Sequence, residues 1–211
     1  MYEIAPGNNE MRASEDIKEG DLLAFIPESM LLTVAHAKAN SPNVQILREK
    51  DLLDKMESPG PIVPLALYFL EERRNPDSKW LHYFETLPKE WDTQMIFMNE
   101  EELSWFEGSE ILNYVGQFKK RLEHDYALIS ENIPGFSDKY SEREFMENYK
   151  AIQTRMFGLI NDDGLEIKAM VPVGDLFNHH NPPGIEWAWG RHKNGLTGVF
   201  YTAIDDIAKG T

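Results

Sequence analysis

The sequence predicts an α+β fold in which strand-forming ends enclose a helical middle, and three observations carry that reading. Residues 17–32 alternate short apolar runs with tight turns. From about residue 43 the apolar period lengthens from two toward 3.6. After Asn161-Asp162-Asp163-Gly164 the period returns to two, with Ile185, Trp187 and Trp189 alternating with Glu186, Ala188 and Gly190. A chain of 211 residues suffices for one sizeable core or one domain carrying an insertion. A β fold interrupted by a helical insertion therefore explains the order more economically than two domains.

Each element has its own signal. Ile17, the turn Glu19-Gly20-Asp21 and the run Leu22 to Ile26, stopped by Pro27, read as a strand entered through a tight turn. Met30-Leu31-Leu32 is a second short apolar run, after which Thr33 can cap a short helix through Lys38, ended by Asn40-Ser41-Pro42. A helix is expected from Pro64 to Arg74, with Asn75-Pro76 as its stop. Ser78 is expected to cap a segment holding Trp80, Leu81, Tyr83 and Phe84, and Asn99 with Glu102 has capping-box spacing.

The longest helix is predicted from about Ser109 to Asn132, because Ile111, Val115, Phe118, Leu122, Tyr126 and Ile129 recur on one face. Its run Lys119-Lys120-Arg121, beside Glu123 and Asp125, reads as a solvated face. Ser141 with Glu144 caps a last helix that directs Phe145, Tyr149, Ile152 and Met156 toward a core. Asn194-Gly195 offers a tight hairpin turn into a strand holding Val199-Phe200-Tyr201.

Composition removes several classes of function. Asp+Glu 36 against Lys+Arg 21 gives a net charge of −15, which repels nucleic acid and anionic membrane and favours a basic peptide or protein partner. Without cysteine there are no disulfides, thiolate nucleophiles or cysteine-ligated zinc. Met1-Tyr2-Glu3-Ile4 lacks the basic start and apolar stretch of a signal peptide, and the longest apolar run, Ile62 to Leu70, is too short to span a bilayer. A soluble protein of the cytoplasm, the nucleus or both is expected.

His179-His180 invites a metal reading, but adjacent side chains tend to point apart, and His36, His82, His124 and His192 are scattered. No metal site is expected. Gly135-Phe136-Ser137 lacks the second glycine of a nucleophile elbow, and neither a P-loop nor a dinucleotide fingerprint is present.

Two places remain. Val171 to His180, VPVGDLFNHH, sets Asp175, Asn178 and His179 around the apolar pair Leu176 and Phe177 before Asn181-Pro182-Pro183-Gly184. Polar groups inside an apolar run need partners. Either Asp175 caps a turn while Asn178 fills a buried hydrogen-bond position, or the loop binds a ligand. Arg155, beside Met156 and Phe157, needs an anion: a carboxylate of the chain, or that of a ligand gripped by two parallel bonds.

These residues carry a resemblance. Arg12-Ala13-Ser14-Glu15-Asp16-Ile17, the Ile26-Pro27 strand, LPKEWDT from Leu87 to Thr93, Thr154-Arg155 and VPVGDLFNH occur in the order found in SET-domain methyltransferases of the Rubisco large-subunit and actin-histidine branch. The chain resembles that family over almost its whole length. The resemblance implies a split SET (β-clip) fold, with halves at about 1–42 and 150–211 around a helical insertion at about 43–149.

It also implies S-adenosylmethionine as cofactor and a protein substrate, basic or lysine-bearing, as partner. Arg155 would grip the cofactor's carboxylate. Asn178 and His179 would hold its methionine and adenine parts, with Asp175 in the same loop. Phe157 would line the acceptor site, where the actin-histidine branch has asparagine and lysine-methylating relatives an aromatic. The expected activity is protein-lysine N-methylation. Histidine methylation, or a catalytically inactive module that binds a peptide or protein, are the alternatives.

Gly7-Asn8-Asn9-Glu10 stands where the family has a Gly-rich segment against the cofactor. The family's catalytic tyrosine is expected beyond Thr211. The chain is accordingly read as an incomplete SET domain that holds no catalytic residue and is inactive by itself.

Overall fold

A computed structural model describes residues 2–5, 8–58 and 60–211, with residues 2–5 and 8–10 described by backbone alone. Gly7, part of the segment set against the family's Gly-rich wall, lies outside the described residues. β1 (Tyr2–Ala5) and β2 (Asn8–Glu10) pair antiparallel. Gly20, at φ +86, makes the turn into β3 (Leu22–Pro27), where Lys18 N–H donates to Asp21 Oδ2 at 2.9 Å. A 3-10 turn over Glu28–Met30 leads to β4 (Leu32–Thr33) and α1 (Val34–Asn40).

The helical middle comprises α2 (Pro42–Glu49), α3 (Ile62–Glu72), α4 (Leu81–Thr86), α5 (Glu100–Ser104), α6 (Ile111–Asn132), α7 (Phe136–Lys139) and α8 (Glu142–Arg155). Both expected capping boxes form. Asn99 Oδ1 accepts from Glu102 N–H while Glu102 accepts from Asn99 N–H, and Ser141 and Glu144 bond reciprocally.

Three expectations need correction. The α3 helix begins at Ile62, two residues before Pro64, because a proline in the first turn lacks only an N–H that would have no intrahelical acceptor. Trp80 rather than Ser78 occupies the cap position of α4, without a side-chain capping bond; its indole N–H donates to Met30 O at 2.8 Å instead. Met156 does not extend the last helix, which ends at Arg155. It opens β5 (Met156–Ile160), whose five-residue antiparallel ladder with β6 (Glu166–Met170) satisfies the backbone that a longer helix would otherwise bond.

The last two strands are β7 (Ile185–Arg191) and β8 (Thr197–Ala203). Their hairpin closes over Lys193 to Gly195, with His192 N–H donating to Leu196 O at 2.8 Å and Gly195 at φ +88. The tight hairpin turn expected at Asn194-Gly195 thus forms, as a three-residue loop with a left-handed glycine.

Contacts divide the chain into two compact units. One comprises Met1–Val34, Lys79–Leu87 and Thr154–Thr211. Its two three-stranded antiparallel sheets run in the orders β3-β8-β7 and β4-β6-β5. Ile26, Leu31, Leu159, Ala169, Val171, Val199 and Tyr201 form its buried core. The antiparallel bridge between Ile17 and Ile207 ties the two ends of this unit together.

The other unit comprises Ala35–Ser78 and Pro88–Gln153. Every residue of α3 from Ile62 to Leu70 is buried, which accounts for the absence of a polar face in that run. On α6, Phe118, Leu122 and Ile129 are buried as the periodicity predicts, whereas Ile111 is exposed; Lys119, Lys120 and Arg121 are solvated. Asp125, also buried on α6, accepts the N–H groups of Glu57 and Ser58 at 2.8 and 3.0 Å. No helix among the described residues is long and apolar enough to cross a membrane.

Candidate functional site

The loop after β6 is shaped by backbone bonds before its side chains act. Asp175 N–H donates to Val171 O and Leu176 N–H to Val173 O, which winds Gly174–Leu176 into a 3-10 turn. Val173 takes φ +73, an uncommon conformation for a β-branched residue and of a kind that concentrates at functional loops. A β-carbon on Gly174 would stand 2.1 Å from the hydroxyl oxygen of Tyr201, so only glycine lets this loop lie against β8.

Arg155 and Asp175, expected at one site, are brought into direct contact. Arg155 Nη1 donates to Asp175 O at 3.0 Å and to Asp175 Oδ2 at 3.3 Å. The Asp175 side chain is 1% exposed and that of Arg155 is 21% exposed. Nε and Nη2 of Arg155 donate to nothing among the described residues and are not sealed from solvent.

Sequence reading missed the third member. Tyr83, on α4, donates its hydroxyl to Asp175 Oδ2 at 2.8 Å across 92 positions of sequence. Its place among the apolar residues of a short helix gave no signal beyond that of a core aromatic. Burial pushes the Asp175 carboxyl above its usual range, against the lowering effect of Arg155 and of the Tyr83 hydroxyl. The Tyr83 phenol is pushed well above its usual value, first by burial and then by the charge of Asp175.

Asp175 Oδ1 and the Tyr201 hydroxyl are also buried, with no hydrogen-bond partner among the described residues. Burial raises the Tyr201 phenol too, with Asp175 as the second cause.

Asn178 and His179 are exposed, and their side chains make no hydrogen bond among the described residues. A buried structural role for Asn178 is thereby excluded: the 3-10 turn ends at Leu176 and the chain emerges to solvent, so water satisfies both side chains. Of the polar trio, only Asp175 needed a partner within the protein.

Phe157 on β5 lies edge-on to Trp187 at 5.4 Å and to Tyr201 at 6.4 Å between ring centroids, and Phe177 stacks on Tyr201 at 5.0 Å. Trp187 is 43% exposed, so this aromatic group reaches the surface. His180 Nδ1 lies 2.8 Å from Pro182 O. Among the described residues no group of three or more His, Asp or Glu side chains is arranged to hold a metal ion.

Residues 9–211 match the SET domain. The chain belongs to the SET-domain family. Among curated relatives, this SET chain is 31% identical over 180 residues to the actin-histidine N-methyltransferase of Danio rerio, covering 81% of this chain and 29% of that protein. It is 29% identical over 192 residues to that of Gallus gallus, covering 85% and 31%. The SET chain thus spans about three tenths of the length of these relatives.

Its fold is similar to the SET domain of LSMT bound to lysine and AdoHcy, with a TM-score of 0.74, 22% identity and coverage of 94% of this chain and 44% of that one. It is likewise similar to Rubisco LSMT bound to AdoMet, with a TM-score of 0.71, 20% identity and coverage of 99% and 45%. At these identities the likeness is one of fold, and it establishes the α+β SET architecture.

Proposed function

We propose that the full-length protein transfers a methyl group from S-adenosylmethionine to a nitrogen of a protein side chain, and that this nitrogen belongs to lysine. The carrying observation is Arg155. One nitrogen of its guanidinium is fixed by Asp175, while two donors remain for a second carboxylate in the fork geometry that guanidinium favours. Family membership and the Rubisco LSMT structures bound to AdoMet and AdoHcy support the same reading.

The donor set fits the cofactor. Arg155 would take its carboxylate, and the exposed Asn178 and His179 would supply the mixed donors and acceptors that its methionine and adenine parts require. When bound, S-adenosylmethionine supplies a methyl group on positively charged sulfur. The aromatic group Phe157, Trp187 and Tyr201 acts on the acceptor: aromatic faces flank an alkyl stem and attract an ammonium, and a desolvated setting drives lysine toward the neutral amine that can attack. The net charge of −15 suits a basic stretch around the acceptor.

Histidine is the second reading, favoured by the relatives named actin-histidine N-methyltransferase. Calorimetry of the full-length protein with S-adenosylmethionine tests the cofactor half, and absence of binding overturns it. Mass spectrometry of lysine- and histidine-containing peptides after incubation with S-adenosylmethionine tests the acceptor half. Methylated lysine is expected. Methylation of histidine alone would select the second reading, and peptide binding without transfer would leave a binding module.

A further inference from the structure

We infer that Tyr83 is a positioning residue for the cofactor's carboxylate, acting through Asp175 to hold the Arg155 guanidinium; this rests on the cofactor reading above. Among the described residues the Asp175 side chain receives hydrogen bonds from two groups, Tyr83 at 2.8 Å and Arg155 at 3.3 Å, both on Oδ2. Its other oxygen is buried with no partner. A carboxylate in that setting is ionised only as far as its two donors offset the loss of water, and Tyr83 provides the shorter bond of the two.

Without the phenol, burial favours the neutral acid, which attracts a guanidinium far more weakly. Arg155 would keep its bond to Asp175 O but lose the second anchor that fixes the plane of the fork. A long, partly exposed arginine held at one point samples several rotamers, and the entropy lost on binding a carboxylate rises accordingly.

Tyr83 is built to be a fixed donor. Its helix, α4, is anchored by the Trp80 indole on Met30 O at 2.8 Å and by Lys79 on Ser29 O. Thr86 Oγ1 donates to Tyr83 O at 2.7 Å. The phenol's raised pKa keeps it protonated through the neutral range, so it donates and never competes for the guanidinium.

The test compares S-adenosylmethionine with its decarboxylated analogue on full-length Tyr83→Phe by calorimetry. The expected result is a roughly tenfold weaker Kd for S-adenosylmethionine, the order of one hydrogen bond to a charged group, and an unchanged Kd for the analogue. Equal losses for both ligands, or no loss for either, overturn the inference. Asp175→Asn, which keeps the shape but not the charge, is expected to show the same discrimination and serves if Tyr83→Phe folds poorly.

Arg155→Ala separates this inference from the reading beneath it. If Arg155→Ala distinguishes the two ligands and Tyr83→Phe does not, only the role of Tyr83 fails. If Arg155→Ala distinguishes neither, the reading of Arg155 as the carboxylate clamp fails first.

Discussion

Arg155 engages Asp175 through Nη1 alone, while Nε and Nη2 have no partner among the described residues. Under the proposed function Arg155→Ala removes a ligand contact, and it also takes the charge partner from a buried carboxylate that then keeps only the Tyr83 hydroxyl as donor, at a cost of up to about 3–5 kcal/mol of stability. Arg155→Lys is the cleaner probe. It keeps a positive charge beside Asp175 but loses the planar fork, so the expected outcome is weaker S-adenosylmethionine binding by calorimetry with a smaller fall in Tm than Arg155→Ala gives. Asp175 adds a pH signature. Its carboxyl is raised above 3.8 in the folded state, so the folded protein holds this proton more tightly than the unfolded chain. The stability it contributes is full below that value and is lost as pH rises through the folded pKa. Urea denaturation of the wild type and Asp175→Asn across the acidic range is expected to show the wild type losing ground as pH rises. The opposite slope would mean that attraction to Arg155 outweighs burial. Arg155 was legible in the sequence because a charge beside apolar residues demands a partner. Tyr83 was not, because its polar work is done by one atom at the end of a side chain whose ring packs like any core aromatic.

Elements were legible wherever a local rule decides them. Both capping boxes and the buried stripe of α6 at Phe118, Leu122 and Ile129 follow from spacing alone. Met156 was misplaced because apolar residues at helical spacing also suit a buried strand, and only the partner strand 14 positions away, Met156 against Met170, decides between them. The loop carrying Asp175 depends on contact with β8 in the same way. Gly174→Ala would put a β-carbon 2.1 Å from the Tyr201 oxygen and 2.5 Å from its ring, and is expected to destabilise by about 1–3 kcal/mol in denaturant titrations. Tyr201→Phe probes the same contact from the other side. It deletes a buried hydroxyl that has no partner among the described residues, so stability is expected to hold or rise. A clear loss would reveal a hydrogen-bond partner for that hydroxyl, such as an ordered water.

At the scale of the molecule, the proposed function turns on which protein nitrogen would accept the methyl, and Phe157 is the residue on which the lysine reading rests. The ring lies edge-on to Trp187 and Tyr201, so its polar requirements are nil and its neighbours are aromatic. The Phe157 ring itself cannot donate to or accept from an imidazole, and so position 157 cannot select one histidine tautomer for attack. It can flank the alkyl stem of lysine and attract the ammonium before the proton leaves. The curated relatives named for histidine methylation point the other way, at 31% and 29% identity. A side-chain amide at position 157 would restore the hydrogen bond that an imidazole needs. Phe157→Asn in the full-length protein is therefore expected to lower the rate on lysine peptides and raise the ratio of histidine to lysine methylation. Paired peptides that differ only at the acceptor, read by mass spectrometry, measure that ratio. Histidine methylation by the unsubstituted protein, left unchanged by Phe157→Asn, would show that residues other than Phe157 set the choice and would return the lysine assignment to its rival.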